Sequence, residues 1–323
     1  MTLKGTTVLV TGGAGLIGSH IVEALVQEGA RVRVYDSLIR GRIEHLKRAC
    51  TKGDVQIFEK DIRDRQALEE AIKGVDYVFH QAASWLRQCE SNPRLSLEVN
   101  VAGTFNLLEA CVGAGVKKLV AASSSSVYGE GLYLPTDENH PFNNDLFYGA
   151  SKVANEHYYR AFYKKYGLPF VGLRYLNVYG PNQPFDAAYM DVIMHFLNRI
   201  DNDEPPIIRG DGLETVDLVY VEDVAKANLL ALKSAVTHDF FNVANGMETT
   251  IKDLACLLIR LCGKEGRLQP VFEPLDTGLV TRRWGDPKKA REVLGFVATT
   301  SVEEGMKRVI EWRRQIKVMQ AAF

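Results

Sequence analysis

The feature that most constrains the fold of this 323-residue chain is an alternation of two periodicities in its first half. Short apolar runs rich in β-branched residues are separated by helix-length amphipathic segments, as in TTVLVTG followed by GSHIVEALVQEG. Strands that alternate with helices indicate βαβ units and a parallel sheet, and continuously apolar strands indicate a sheet covered on both faces. The sequence therefore predicts an α/β protein with a doubly wound parallel sheet of roughly six or seven strands.

The pattern changes after Gly180 and indicates a second, smaller lobe. Residues 181–216 combine a Pro- and Asp-rich opening, one amphipathic helix and a short strand, whereas residues 249–323 are mainly helical. Residues 217–248 return to the pattern of the first half. We therefore predict one domain formed by 1–180 and 217–248, and a smaller, mainly C-terminal α/β substrate lobe formed by 181–216 and 249–323. The cleft between them is the expected place for a ligand.

Composition argues against several classes of partner. The formal net charge is −1, so nothing favours nucleic acid or an anionic membrane as a partner. The seven histidines show no metal-binding spacing, and we expect no metal site. Five scattered cysteines without a CxxC pair, and an N-terminal apolar run too short for a secretory signal, predict a cytoplasmic protein.

A glycine-rich turn follows the first predicted strand. In VLVTGGAGLIGSH, Gly12, Gly15 and Gly18 stand between that strand and the start of a helix. The first glycine permits a tight turn, the second lets the backbone approach a pyrophosphate, and the third allows close helix–strand packing. A turn with a purely structural role is the alternative, but the context favours the dinucleotide site of a Rossmann-type domain.

Acidic residues after the next two strands bear on the choice of dinucleotide. A carboxylate at Asp36 can accept hydrogen bonds from both adenosine ribose hydroxyls and would repel a 2′-phosphate, which favours NAD over NADP. Arg40 and Arg42 are close enough in sequence to weaken that preference, although a surface loop is their simpler assignment. Asp61 is placed to touch the adenine edge, with an ordinary turn aspartate as an equal alternative.

The segment YGASK places Tyr148 and Lys152 on one face of a predicted helix. A phenol has a pKa near 10, so a tyrosine that acts as a base near neutrality needs adjacent positive charge. Lys152 and an oxidised nicotinamide would supply that charge. Taken alone, a YxxxK pair is more simply a coincidence on a helix surface.

Together these motifs resemble the extended short-chain dehydrogenase/reductase superfamily, specifically its NAD-dependent sugar epimerase/dehydratase family. The matching segments span nearly the whole chain and include TGGAGLIGSH, NVAGTFNLLEA, SSSSVYG, YGASK, LRYLNVYGP, VYVEDVAKA and DPKKAREVLGF. The resemblance implies that Tyr148 is the base, that Lys152 holds the cofactor ribose and lowers the pKa of Tyr148, and that Ser124 hydrogen-bonds the reacting hydroxyl. It also implies a homodimer, paired through the helix beginning near Asn100 and the helix carrying Tyr148.

The same resemblance implies NAD as the cofactor and a nucleoside diphosphate sugar as the substrate, with UDP as the expected nucleotide. The residues expected to bind NAD are Gly12, Gly15, Leu16, Ile17, Gly18, Asp36, Asp61, Ile62, Gln81, Ala82, Ala83, Asn100, Tyr148, Lys152, Tyr175 and Val178. The residues expected to bind the substrate are Ser84, Ser125, Ser126, Asn177, Arg209 and Arg283.

The two positions after Ser124 distinguish reactions within the family. Dehydratases carry an Asp-Glu pair there and decarboxylases carry a Glu, whereas this chain has Ser125 and Ser126. An unactivated serine is a poor general acid at neutral pH, so elimination and decarboxylation are disfavoured. We expect epimerisation at C4 through a 4-keto sugar. A net NAD-dependent oxidoreductase acting on a sugar or another secondary alcohol, and a non-catalytic nucleotide-binding regulatory protein, remain alternatives.

The chain departs from the family pattern where relatives grip the diphosphate. Val216 replaces one family arginine, and PLDTGLV occupies the neighbourhood of a second. Arg209, Arg282 and Arg283 are candidate replacements. Arg283 is expected either to meet a carboxylate, such as that of a uronic acid, or to be a surface arginine at the lobe interface.

Overall fold

A computed structural model describes residues 1–184, 191–274 and 281–321. Its strands are β1 (Thr7–Thr11), β2 (Arg31–Asp36), β3 (Val55–Glu59), β4 (Tyr77–His80), β5 (Lys118–Ser124), β6 (Phe170–Tyr175), β7 (Asn177–Tyr179), β8 (Ile207–Arg209), β9 (Thr215–Val216), β10 (Leu218–Tyr220), β11 (His238–Val243), β12 (Thr249–Thr250) and β13 (Val271–Glu273). Seven of them form one sheet in the order β11–β6–β5–β4–β1–β2–β3. Every neighbouring pair in this sheet is parallel, which confirms the predicted doubly wound fold.

Helices connect these strands. They are α1 (Leu16–Gln27), α2 (Lys47–Lys52), α3 (Arg65–Ala71), α4 (Leu86–Ser91), α5 (Pro93–Leu95), α6 (Gly103–Ala114), α7 (Phe147–Tyr166), α8 (Val192–Asp201), α9 (Val221–Lys233), α10 (Ile251–Leu261), α11 (Lys288–Leu294) and α12 (Val302–Ala321). A π-helix, Ser96–Ala102, leads directly into α6, and short 3₁₀ helices occupy Ile43–Leu46 and Ser125–Val127. Within the described ranges, no helix combines the length and hydrophobicity that crossing a bilayer requires.

Two apolar clusters cover the faces of the large sheet. Val8 and Val10 of β1 belong to a cluster with α1 and α9, whereas Leu9, between them, belongs to a cluster with α3, α6 and α7. Successive side chains of a strand point to opposite faces, so an unbroken apolar run serves both clusters. Full burial of each such side chain contributes about 1.5–3 kcal/mol, which makes the central strands a rigid base for the residues at their ends.

A third apolar cluster lies between α8, α10 and α12. Three two-stranded ladders surround it: β7 with β10, β8 with β13, and β9 with β12. The short strand predicted within residues 181–216 corresponds to β8. Phe296, just after α11, packs in the same cluster as β1 rather than in this third cluster. The division into two domains at the stated boundaries stays a prediction.

Candidate active site

A cleft of about 380 Å³ opens at the carboxyl ends of β1, β2, β4 and β5. The order of strands along the sheet reverses between β1 and β4, and such a switch point is where open α/β sheets bind ligands. All the residues predicted to bind NAD line this cleft except Asn100 and Val178. The fold therefore brings together residues from the ends of six strands, β1 to β6.

The glycine-rich turn between β1 and α1 lines the cleft. Gly12 has a φ of +67°, and a Cβ on it would lie 2.7 Å from the backbone nitrogen of Ala82. A Cβ on Gly18 would overlap the carbonyl oxygen of Gly12. Side chains larger than hydrogen are thus excluded where α1 begins, and the shape fits a pyrophosphate on the helix N-terminus.

Asp36 lies at the end of β2, where its carboxylate faces the cleft. One oxygen accepts a hydrogen bond of 2.9 Å from the backbone N–H of Ala14, and the other accepts one of 2.9 Å from Leu38. Burial raises the pKa of this carboxyl, and the two N–H donors partly offset that effect. A Cβ on Gly41 would lie 2.8 Å from the carboxylate, so the following loop packs closely over it. These contacts hold an acceptor at the position suited to ribose hydroxyls.

Asp61 combines the two interpretations considered from sequence. It lines the cleft, and its carboxylate also pairs with the Arg63 side chain at 2.7 Å and accepts the Arg63 backbone N–H at 2.9 Å. The Arg63 side chain holds the pKa of Asp61 below its usual value. Asp61 is therefore a turn residue on the wall of the cleft.

Asn100 lies in the π-helix and does not line the cleft, but it holds the backbone of Ser84, which does. Its Oδ1 accepts the backbone N–H of Ser84 at 2.7 Å, and its Nδ2 donates to the Ser84 carbonyl at 3.1 Å. The same Nδ2 donates to Ser151 Oγ of α7 at 3.1 Å. Asn100 thus ties the loop after β4 to the helix that carries Tyr148. Val178 pairs with Val219 in the small ladder.

Ser124, Tyr148 and Lys152 converge at the carboxyl end of β5. Ser124 is the last residue of that strand, and its side chain is near enough to Tyr148 to lower the pKa of the phenol. The Lys152 Nζ donates to the carbonyl of Ala122 at 2.9 Å and lies 5.6 Å from the centre of the Tyr148 ring. Tyr148 and Lys152 line the cleft, and Ser124 follows Ser123, which also lines it.

Burial dominates the electrostatics of this group. It raises the pKa of Tyr148 to about 12, and the nearby Ser124 hydroxyl and the charge of Arg40 offset part of that rise. Burial lowers the pKa of Lys152 to about 8. The low tyrosine pKa that the resemblance implies is therefore not a property of the described side chains alone, and further positive charge beside the phenol is needed.

The serine run continues past the strand end into a 3₁₀ helix. Ser124 Oγ accepts the backbone N–H of Ser126 at 3.1 Å and donates to Ser126 Oγ at 3.1 Å. Ser125 and Ser126 are half-buried and do not line the cleft. They therefore continue from Ser124 beyond the dinucleotide cleft.

Tyr175 ends β6 beside Ser124 in the strand register. Its hydroxyl lies 3.2 Å from Gln81 Oε1 and 2.9 Å from Asn228 Nδ2. His80, one residue before Gln81, is buried between the hydroxyls of Thr11 and Thr104, at 2.7 and 2.8 Å. Among the described residues, no group of three or more His, Cys, Asp or Glu could hold a metal ion.

The residues predicted to bind substrate are more dispersed. Ser84 lines the cleft beside Ala83. Asn177 begins β7, and its side-chain oxygen is buried without a partner among the described residues. Arg209 is an exposed residue at the end of β8, and Val216 pairs with Thr249 between β9 and β12.

Two adjacent arginines differ in their partners. Arg282 pairs with Glu248 at 2.6 Å. The half-buried Arg283 side chain makes no hydrogen bond or ion pair in the described parts of the chain, and burial lowers its pKa. Glu130, the acid whose charge raises the pKa of Arg283, accepts bonds from Thr281 instead. Residues 275–280 of the PLDTGLV segment lie outside the described residues.

Sequence reasoning missed other residues on the cleft wall. The missed lining includes Tyr35, Ser37, Ile39, Arg40, Gly41, Lys60, Arg63, Leu95, Val99, Ala122, Ser123 and Pro184. Many of them lie next to a predicted residue at the end of a strand. Extending each strand end by two residues in both directions would have found Tyr35, Ser37, Lys60, Ala122 and Ser123.

A dinucleotide cleft combined with a Ser–Tyr–Lys group defines an enzyme of the extended short-chain dehydrogenase/reductase class. The chain belongs to the NAD-dependent epimerase/dehydratase family, whose sequence profile matches residues 8–244.

Similar proteins match this chain over nearly its whole length, and the solved structures among them share its fold. The UDP-glucose 4-epimerase of Mycolicibacterium smegmatis is 35% identical over 311 residues, which cover 95% of this chain and 98% of that protein. The crystal structure of Thermotoga maritima UDP-glucose 4-epimerase with UDP-glucose has a TM-score of 0.90 and 36% identity, covering 97% of this chain and 100% of that one. The Thermus thermophilus UDP-glucose 4-epimerase in complex with NAD has a TM-score of 0.86 and 36% identity, covering 96% and 99%.

Proposed function

We propose that this protein is an NAD-dependent epimerase of a nucleoside diphosphate sugar, acting at C4. The observation that carries the proposal is the placement of Ser124 near Tyr148 and a buried Lys152, at a strand end followed by serines and not by carboxylates. The relatives named above support the same class of reaction, since each is a UDP-glucose 4-epimerase.

The cleft fits NAD in shape and charge. Gly12 and Gly18 leave room for a pyrophosphate, and Asp36 offers a carboxylate to the adenosine ribose. We propose Lys152 and Tyr148 as contacts of the nicotinamide half. When bound, NAD accepts a hydride from a carbinol carbon and can return it.

The side chains handle the proton. Tyr148 removes the proton of the sugar 4-hydroxyl, with Ser124 bridging, and gives it back when the hydroxyl forms again on the other face of the 4-keto sugar. The overall reaction therefore consumes neither acid nor base. Lys152 stabilises the phenolate form of Tyr148 before it takes the proton and after it returns the proton, because a cation beside an anion in a buried site favours the charged form.

A sugar that turns over in its pocket must be held elsewhere, and a nucleoside diphosphate offers that hold. We propose UDP as the nucleotide and Arg283 as a contact for an anionic group of the substrate. A half-buried guanidinium without a partner in the described residues is costly, and a ligand carboxylate or phosphate would satisfy it. Asn177 is proposed to meet the phosphates, Arg209 to help hold the diphosphate, and Ser84, Ser125 and Ser126 to contact the sugar.

We further propose a cytoplasmic homodimer. All five cysteines are free thiols, which suits a reducing compartment. The pairing surface proposed from the resemblance consists of the π-helix–α6 unit and α7. Residues 1–180 with 217–248 are proposed as the NAD-binding domain, and 181–216 with 249–323 as the substrate lobe.

The test is incubation of the purified protein with a panel of nucleotide sugars, followed by proton NMR with no added cofactor. Interconversion of two sugars over many turnovers is expected, because an epimerase regenerates its own NAD. Accumulation of one equivalent of keto sugar would instead support a net oxidoreductase. Absence of any reaction across the panel would support a binding protein.

A further inference from the structure

A buried ion pair lies directly behind the Ser–Tyr–Lys group. Glu156 of α7 and Arg174 of β6 make two hydrogen bonds, Nη2 to Oε2 at 2.7 Å and Nε to Oε1 at 2.9 Å. Their side chains are only 1% and 3% exposed. Burying two charges is expensive, so such a pair needs an explanation beyond the stability of the fold.

The carboxylate of Glu156 joins the two elements that carry the proposed catalytic residues. Glu156 lies one helical turn after Lys152 and two turns after Tyr148, so all three share one face of α7. Its Oε1 accepts a hydrogen bond of 2.6 Å from Ser123 Oγ, next to Ser124 on β5. One acid thus connects the helix of the lysine and tyrosine to the strand of the serine.

The arginine extends this connection to the segment after the serines. Arg174 Nη1 donates to the hydroxyl of Tyr128 at 3.0 Å, and that hydroxyl donates to Asn242 Oδ1 at 2.6 Å. Tyr128 follows directly after the 3₁₀ helix Ser125–Val127. The pair therefore braces β5, α7 and the turn between them.

We propose that Glu156, held by Arg174, is a positioning residue that fixes Lys152 relative to Ser124 and keeps Lys152 protonated during turnover. The inference rests on the proposed function in one respect, because it takes Lys152 to be the cation that serves Tyr148.

The groups that face Lys152 support the electrostatic half of this inference. They are Tyr148 and Glu156 on its own helix, His80 from β4 and Cys89 from α4. Burial lowers the pKa of His80 to about 3 and raises the pKa of the Cys89 thiol, so both are neutral near pH 7. Interactions with Cys89 and with Glu156 both raise the pKa of Lys152 against the effect of burial, and of these groups Glu156 is the carboxylate.

A purely structural ion pair makes a different prediction. Its loss would lower the stability of the protein and reduce the rate at every pH, but it would leave the titration of Lys152 where it was. The protonation of Lys152 therefore separates the two roles.

The experiment is NMR of protein labelled with ¹³C in lysine, in which the Cε signal of Lys152 is identified by its absence in Lys152→Met. We expect Glu156→Gln to lower the apparent pKa of Lys152 by about one unit, because a nearby carboxylate is lost. The alkaline limb of kcat should move to lower pH by the same amount. An unchanged Lys152 titration and an unchanged limb in a folded Glu156→Gln protein would overturn the inference.

Two further variants separate charge from position. Glu156→Asp keeps the charge but shortens the side chain, so kcat should fall while the Lys152 titration stays near that of the wild type. Glu156→Gln/Arg174→Met removes both buried charges and serves if the single variant does not fold; it should also lower the pKa of Lys152. An unmoved titration in that double variant would equally overturn the inference.

The same spectra contain an internal control. Lys118 is a second buried lysine whose pKa is lowered to about 8, and its Nζ donates to the Ala231 and Ser234 carbonyls at 2.8 and 2.9 Å, far from Glu156 in the chain. Its titration should not move in any of these variants. The NMR titration needs no turnover, so a wild-type protein that fails to epimerise any sugar refutes the proposed function without deciding the role of Glu156.

Discussion

The dinucleotide cleft and the substrate side of the molecule differ in how their polar groups are satisfied. In the cleft, Asp36, Gln81 and Tyr175 are hydrogen-bonded by the protein itself. On the substrate side, the Arg283 guanidinium and the Asn177 side-chain oxygen have no partners among the described residues. These three cleft residues are thus held in place by the protein itself, whereas Arg283 and Asn177 offer groups that a ligand would complete.

The largest expected effect is on the chemical step within the cleft. Tyr148→Phe should lower kcat by about 10²- to 10⁴-fold, the usual contribution of a positioned acid–base group, while bound NAD is retained. The measurement is turnover by NMR together with the NAD content of the denatured protein. Tyr158→Phe, on the same helix, is the control and should leave kcat near wild type, since its ring packs on Phe105 at 5.2 Å. A Tyr148→Phe enzyme with a near-normal rate would contradict the role of the base.

The preorganisation of the cleft predicts a strong effect at Gly12. Gly12→Ala should reduce NAD affinity by about 10- to 100-fold, because the left-handed backbone is strained and the new Cβ meets the backbone of Ala82. NAD content after gel filtration and the Tm report the result. Gly74→Ala has a similar φ of +71° but no atom within 4 Å of the new Cβ, so it should lower the Tm without loss of NAD. Equal NAD loss in both variants would show that strain alone, and not the close approach, matters.

The unsatisfied arginine predicts an effect on substrate binding rather than on chemistry. Arg283→Gln should raise KM about tenfold for a substrate that carries the recognised anion, with little change in kcat, because one charge-assisted hydrogen bond is lost. Comparison of nucleotide sugars with and without a carboxylate identifies which anion it binds. Arg282→Gln is the matched control, since Arg282 already pairs with Glu248. Equal KM values in both variants would contradict the proposal that Arg283 binds an anionic group of the substrate.

The smallest expected effect is at Ser126. Its hydroxyl accepts one hydrogen bond of 3.1 Å from Ser124, and a neutral bond of this kind is worth about 1 kcal/mol. Ser126→Ala should therefore change kcat by roughly fivefold, measured at saturating sugar. A loss as large as that in Tyr148→Phe would mean that Ser126 takes part in proton transfer, and the distinction from the dehydratases would need revision.

Much of the fold was predictable from local patterns. The alternation of strands and helices and the apolar runs serving both faces indicated a doubly wound sheet, and seven parallel strands are present. The glycine turn and Asp36 were identified because each role needs a residue type at a strand end. The π-helix at Ser96–Ala102 and the inward role of Asn100 were not predictable, since both depend on what α7 and the loop after β4 present to that helix.

The sequence by itself predicted the class of fold and favoured NAD, because a periodicity or a residue type at one strand end is enough for each, whereas the three proposed catalytic residues followed from the resemblance to the family. Only the tertiary structure decided which charges have partners. Glu156 meets Arg174 from an adjacent strand, whereas Arg283 meets no acid in the described residues. Pairing and burial depend on distances between elements that are remote in the chain, and no local pattern encodes them.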